Sequence, residues 1–117
     1  MYRGKYIEGQ KPSMEELIGI VRELRDPEYG CSWDSAQTHE TMRQCLIDES
    51  QEVLQAIDHR DDLKLCEELG DVLLQVLLHA SIAEARGAFG FEDIVQVLTD
   101  KLIRRHPHVF GDEPRPT

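Results

Sequence analysis

The chain has 117 residues, enough for one domain with a modest hydrophobic core, and a formal net charge of −10. This charge argues against a nucleic-acid-binding surface, because phosphate contacts need clustered Lys and Arg. The sequence has no long apolar run, no apolar signal segment at its start and no Cys-x-x-Cys pair among its three cysteines. We therefore expect a cytoplasmic protein with reduced thiols that does not associate with membranes.

The first predicted helix begins after Ser13. Residues 1–12 show no clear period, whereas Ser13 and Glu16 form the pattern of a capping box, in which each side chain binds the other residue's backbone. Apolar residues then recur at helical spacing to about Arg25.

A loop and a second helix are predicted next. Residues 26–37 are rich in Pro, Gly and small polar side chains and include Trp33, the only tryptophan. Packing in the core is the favoured role for Trp33, and stacking on a base is the alternative. Residues 38–59 carry an apolar stripe in which Glu49 occupies a position where the period calls for an apolar side chain. Such local exceptions are expected at functional sites.

The third predicted helix is the most apolar. Asp61 or Asp62 can cap its start, and Gly87 is a natural stop after Arg86. Residues 69–80 are apolar nearly all round, which predicts burial.

The fourth predicted helix, Phe91–Arg105, completes the fold prediction. Its inward face is predicted to consist of Ile94, Val95, Leu98 and Leu102. No sustained alternation or hairpin dipeptide indicates a strand. We predict a single all-α domain, a bundle of about four helices with a core of about residues 14–110, flanked by tails at residues 1–12 and 111–117.

Two acidic doublets interrupt these apolar helices: Glu49 with Glu52, and Glu68 with Asp71. Residues three apart share one helix face and are about 4.5 Å apart along the axis. If the second and third helices pack side by side, four carboxylates converge. They must be protonated or neutralised, and oxygen ligands suit a hard divalent cation. We predict a magnesium-type site, the alternative being a solvated acidic face.

Several other polar groups have simpler structural roles open to them. Gln75 and His79 continue the line of Glu68 and Asp71, and we expect them to extend a solvated stripe. A two-iron centre is disfavoured, because neither doublet ends in histidine. A basic cluster on the fourth helix can either complement the helix dipole or neutralise phosphate; its members are Lys101, Arg104 and Arg105.

Four segments in order resemble the MazG family of all-α nucleoside triphosphate pyrophosphohydrolases. They are Cys31-Ser32-Trp33-Asp34, residues 48–53 (Asp-Glu-Ser-Gln-Glu-Val), residues 67–71 (Glu-Glu-Leu-Gly-Asp) and residues 104–110 (Arg-Arg-His-Pro-His-Val-Phe). The family pattern is Glu-Glu-x-x-Glu, a spacer, then Glu-x-x-Asp, and the resemblance covers roughly residues 14–112. Two positions depart from it: Asp48 replaces the first Glu, and Ser32 replaces a proline usual in close relatives.

The resemblance implies hydrolysis of a nucleoside triphosphate between its α and β phosphates, in the role of nucleotide-pool housecleaning. Its metal residues carry over as Glu49, Glu52, Glu68 and Asp71, holding Mg²⁺, with Mn²⁺ as a substitute. Lys101 and Arg105 match positions associated with the phosphate chain, Arg104 is a weaker candidate, and Trp33 gains weight as a wall of the nucleotide pocket. We select Glu52 as the general base.

Quaternary structure and a rival function also follow from the resemblance. Family members pair helices between subunits, so we expect a homodimer or a larger homo-oligomer. The third helix is consistent with this, because it is apolar nearly all round and a single four-helix unit leaves part of it uncovered. The alternative function is a non-catalytic or regulatory half of a longer tandem protein that serves oligomer assembly.

Overall fold

The computed structural model describes residues 8–114, and every regular element in that range is helical. The helices are α1 (Met14–Leu24), α2 (Ser32–Ser35), α3 (Arg43–Asp58), α4 (Asp62–Ala85), α5 (Phe91–Arg105) and α6 (Pro107–Phe110). The all-α prediction is confirmed, and α1, α3, α4 and α5 correspond to the four predicted helices. The predicted tails lie partly outside the described residues.

Local side-chain hydrogen bonds set the ends of these helices. Ser13 Oγ accepts from the Glu16 amide at 3.1 Å, and Glu16 Oε1 accepts from the Ser13 amide at 3.4 Å, which confirms the capping box. Asp61 Oδ1 accepts from the Lys64 amide at 3.1 Å at the start of α4. After α4, Gly87 adopts a φ of +73°, a left-handed conformation that favours glycine.

The start predicted for the second helix was too early. Thr38 and Thr41 each accept a hydrogen bond from the other's backbone amide, at distances of 3.2 and 2.8 Å. Such side-chain bonds compete with helical ones. Residues 39–42 therefore form turns, and α3 begins at Arg43.

Helix α4 lies at the centre of the fold, since α1, α3 and α5 all contact it. A short turn that includes Arg60, with a φ of 52°, joins α3 to α4. The main buried apolar cluster consists of Val21, Met42, Leu77, Leu78 and Ile82. This arrangement places the acidic faces of α3 and α4 beside each other.

The prediction that α5 turns its apolar face inward was wrong for three of its four residues. Val95, Leu98 and Leu102 are 46%, 51% and 45% exposed, while Ile94 is half-buried. The helical period identifies an apolar face, but it does not show whether a neighbour in the same chain covers it. Between residues 8 and 114, no helix has the length and apolar character needed to cross a membrane.

Candidate metal centre

Helices α3 and α4 bring three of the four predicted carboxylates together. Glu49, Glu68 and Asp71 each offer an oxygen, and these oxygens lie within 4.8 Å of one another. Glu68 is only 4% exposed, and the other two side chains belong to half-buried residues. Glu52 is exposed and lies outside this group of three.

Burial and mutual repulsion shape the protonation of these acids. Burial is the largest cause of the raised pKa of Glu49, followed by the charge of Asp71 and a hydrogen bond with Glu68. The pKa of Asp71 is also raised, first by burial and then by the charges of Glu68 and Glu67. Glu49 Oε2 is buried and has no hydrogen-bond partner among the described residues. The raised pKa values of Glu49 and Asp71 therefore favour binding of a proton or a cation at this cluster.

A lysine that sequence analysis did not identify contacts the cluster. Lys64 Nζ lies 3.0 Å from Glu68 Oε1 and 3.8 Å from Glu67 Oε1. Its pKa is raised, first by the hydrogen bond with Glu68 and then by the charge of Glu67. The i,i+4 spacing between Lys64 and Glu68 is a signal that could have predicted this contact.

The donor set fits a hard divalent cation. Three carboxylates in one small volume supply only oxygen, which is the donor that Mg²⁺ and Mn²⁺ prefer. The buried Glu49 Oε2, which has no hydrogen-bond partner among residues 8–114, is suited to binding a cation, because a buried carboxylate oxygen without a partner is costly.

The solvated stripe predicted beyond Asp71 was wrong. Gln75 is 6% exposed, and its Oε1 has no hydrogen-bond partner among residues 8–114. His79 is half-buried, and its Nδ1 lies 2.8 Å from Nδ1 of His39. Burial of these groups follows from the position of α4, which α1, α3 and α5 all contact. No signal in the sequence linked His39 to His79.

Trp33 does not pack in the core. It belongs to α2 and is 56% exposed, so the favoured prediction of core packing was wrong. The Arg25 side chain donates hydrogen bonds to the backbone carbonyls of Asp34 and Gln37, at 3.2 Å each. Arg25 therefore fastens α2 to the end of α1.

The basic cluster lies on the last turns of α5. Lys101 is half-buried and lines an apolar groove of about 530 Å³ with Ile94, Val97 and Leu98 among its other residues. Arg104 and Arg105 are exposed on the final turn. None of the three forms an ion pair with another residue between 8 and 114, which leaves these cations accessible to an external anion.

Comparison with known proteins gives consistent matches. The sequence model of one protein family, the MazG nucleotide pyrophosphohydrolase domain, matches residues 37–110 of this chain. The chain is 58% identical over 100 residues to the nucleoside triphosphate pyrophosphohydrolase/pyrophosphatase MazG of Thermotoga maritima, covering 86% of this chain and 39% of that protein. It is 48% identical over 99 residues to the nucleoside triphosphate pyrophosphohydrolase of Escherichia coli K12, covering 85% of this chain and 38% of that protein.

A solved structure agrees with these matches. The crystal structure of a MazG-related protein from Thermotoga maritima aligns with a TM-score of 0.73 and 32% identity, covering 88% of each chain. This chain spans about two fifths of the length of the two curated relatives above.

Proposed function

The chain belongs to the MazG nucleotide pyrophosphohydrolase family, and we propose that it hydrolyses nucleoside triphosphates between the α and β phosphates, with Mg²⁺ as its cofactor and Mn²⁺ as a substitute. Water adds to one phosphorus as the bridging bond breaks, giving a nucleoside monophosphate and pyrophosphate. The biological role is removal of unwanted nucleotides from the cytoplasmic pool. The three cysteines, all unpaired, are consistent with a reducing compartment.

The observation that carries this proposal is the convergence of Glu49, Glu68 and Asp71 between α3 and α4. These three residues are the proposed metal ligands. When bound, the metal supplies Lewis-acid chemistry: it neutralises phosphate charge and helps to acidify the attacking water. The carboxylates fix the site on two packed helices, whose rigidity holds the ligands in place.

Glu52 is proposed as the general base. It lies one turn beyond Glu49 on α3 and outside the three converging carboxylates. An exposed carboxylate there can accept a proton from water while the other three hold the metal. The spacing of the doublets also predicted that Glu52 binds the metal directly, and we keep this as a second proposed role.

The substrate's charge and base are assigned to separate residues. Lys101 and Arg105 are proposed to neutralise the phosphate chain, with Arg104 in a supporting role, because their cations form no ion pair with residues 8–114. Trp33 is proposed to form a wall of the nucleotide pocket, since its exposed ring can stack on a base.

Pyrophosphate release tests the activity directly. We expect the native chain to convert nucleoside triphosphates to monophosphate and pyrophosphate only when Mg²⁺ or Mn²⁺ is present. Glu68→Gln should lower the rate about a hundredfold or more, because it removes a charged ligand without changing side-chain size. The matched control is Glu67→Gln, which removes the same charge from the exposed neighbouring position and should retain most activity.

The length of the chain favours one second candidate. Because it spans about two fifths of its curated relatives, it can instead be a non-catalytic half that serves oligomer assembly. Folded native protein that releases no pyrophosphate across a panel of canonical and modified triphosphates would contradict the enzymatic proposal and support this candidate. Equal activity of native protein and Glu68→Gln would contradict the assignment of the site.

A further inference from the structure

The contact between Lys64 and Glu68 joins an accessible cation to a buried anion. Lys64 lies on the first turn of α4, one turn before Glu68, and its Nζ is 3.0 Å from Glu68 Oε1. The Lys64 side chain is 46% exposed, whereas that of Glu68 is 5% exposed. Among residues 8–114, this ammonium group is the only cationic group in an ion pair with Glu68.

A metal ion in the cluster and the Lys64 ammonium compete for one carboxylate. Glu68 also offers an oxygen to the group formed with Glu49 and Asp71. Two cations on the same carboxylate repel each other, and a partly dry site screens that repulsion poorly. The lysine has a flexible four-carbon stem and an exposed head, so it can move into water.

We propose that Lys64 is the internal counterion of the metal-free centre and that the incoming metal ion displaces it from Glu68. Lys64 thus stabilises the metal-free fold and lowers the affinity of the centre for metal, although it is not a ligand. The inference rests on the proposed function, because it takes cation binding by Glu49, Glu68 and Asp71 as given.

Displacement links stability to affinity in one thermodynamic cycle. If Lys64 leaves Glu68 when metal binds, Lys64→Met destabilises the metal-free protein and leaves the metal-bound protein unchanged. The free energy of unfolding that the metal-free variant loses must then equal the free energy of metal binding that it gains. For a pair with one exposed partner we expect binding of Mg²⁺ and Mn²⁺ to tighten about three- to tenfold.

Calorimetric titration with Mn²⁺ and Mg²⁺, combined with thermal unfolding in EDTA and in saturating Mg²⁺, measures every side of this cycle without substrate. We expect Lys64→Met to unfold at a lower temperature than the native chain in EDTA and at the same temperature in saturating Mg²⁺. Lys64→Arg, which keeps the positive charge, should bind metal within about twofold of the native chain. Lys11→Met, which removes an exposed positive charge, should match the native chain throughout.

The outcomes separate this inference from the proposed function. Unchanged or weaker metal binding by Lys64→Met, with metal binding intact in the native chain, would overturn only the displacement of Lys64. A lower unfolding temperature that persists in saturating Mg²⁺ would overturn it as well, because the contact would then survive metal binding. A native chain that binds neither metal would overturn the proposed metal centre and this inference together.

Discussion

The carboxylate of Glu49 destabilises the metal-free protein. It sits in the apolar stripe of α3, half-buried, with one oxygen that has no hydrogen-bond partner in the described part of the chain. Glu68 and Asp71 approach it with the same charge. Burial and like charge both disfavour the ionised form. An acid at such a position is better explained by ligand binding than by folding.

Replacing Glu49 by glutamine should therefore stabilise the metal-free protein. We expect the free energy of unfolding in EDTA to rise by about 0.5–1 kcal/mol, allowing for solvent screening, because Glu49→Gln removes a charge from the cluster and its amide can donate to Glu68. Urea denaturation measures this change. Asp48→Asn, an equal charge change at the exposed neighbour, should alter stability by less than about 0.5 kcal/mol. Lower stability of Glu49→Gln in EDTA would show that the ionised carboxylate supports the fold.

The sequence predicts which carboxylates converge better than it predicts their surroundings. Glu49, Glu68 and Asp71 stand out because acids interrupt apolar helices at i,i+3 spacing. That spacing leaves the two side chains of a doublet about 60° apart around the helix axis. It therefore does not predict that Glu49 turns towards α4 while Glu52 stays exposed. Such a difference depends on how α3 is rotated when it packs.

At the scale of elements, the turn before α3 is fastened to α4 through two histidines. Arg86 Nε lies 3.2 Å from His39 Nε2. Because arginine can only donate, His39 Nε2 accepts, and the proton of neutral His39 is on Nδ1. That Nδ1–H donates to His79 Nδ1 at 2.8 Å. The ring planes are parallel to within 1°. Both rings must be neutral for this chain of hydrogen bonds to form.

This tether should weaken in acid. The pKa of His79 is lowered from its ordinary 6.5, first by burial and then by the charge of His39. Between pH 6.5 and the lower native pKa, the unfolded chain binds more protons than the native chain, so acidification through this window lowers stability. Thermal unfolding from pH 7.5 to 5.5 should show this loss in the native chain and a smaller one in His79→Gln. His59→Gln changes an exposed histidine at the end of α3 and should keep the native dependence of unfolding temperature on pH. The same pH dependence in the native chain and both variants would contradict the role of the His39–His79 contact.

The sequence predicts the ends of helices where capping residues mark them. Ser13, Asp61 and Gly87 mark helix ends through bonds or conformations that depend only on neighbouring residues. The two short helices α2 and α6 have four residues each and are too short to show an apolar period. Whether the apolar face of α5 is covered depends on tertiary or quaternary packing, and its own sequence does not contain that information.

At the scale of the molecule, this chain exposes more surface than a compact monomer of its size. Its accessible surface is 8909 Å², compared with about 6,500 Å² expected for a monomer of this mass. Its radius of gyration is 17.4 Å, compared with about 13 Å for a compact domain. Several helices expose large apolar side chains; those on α3 include Ile47, Leu54 and Ile57, and those on α5 include Val95, Leu98 and Leu102. Surface of this kind is typical of a protein–protein interface.

We therefore expect a homodimer or a larger homo-oligomer whose interface includes the apolar face of α5. Leu98→Lys, which puts a charge in the middle of that face, should shift the protein towards monomer and lower its unfolding temperature, because a desolvated ammonium group is costly. Sedimentation equilibrium over a range of micromolar concentrations measures the change and the number of subunits. Gln96→Lys adds the same charge on the opposite side of α5 and should leave the assembly intact. A native chain that sediments as a monomer at every concentration would contradict the expected assembly, and an unchanged mass for Leu98→Lys would place its interface elsewhere.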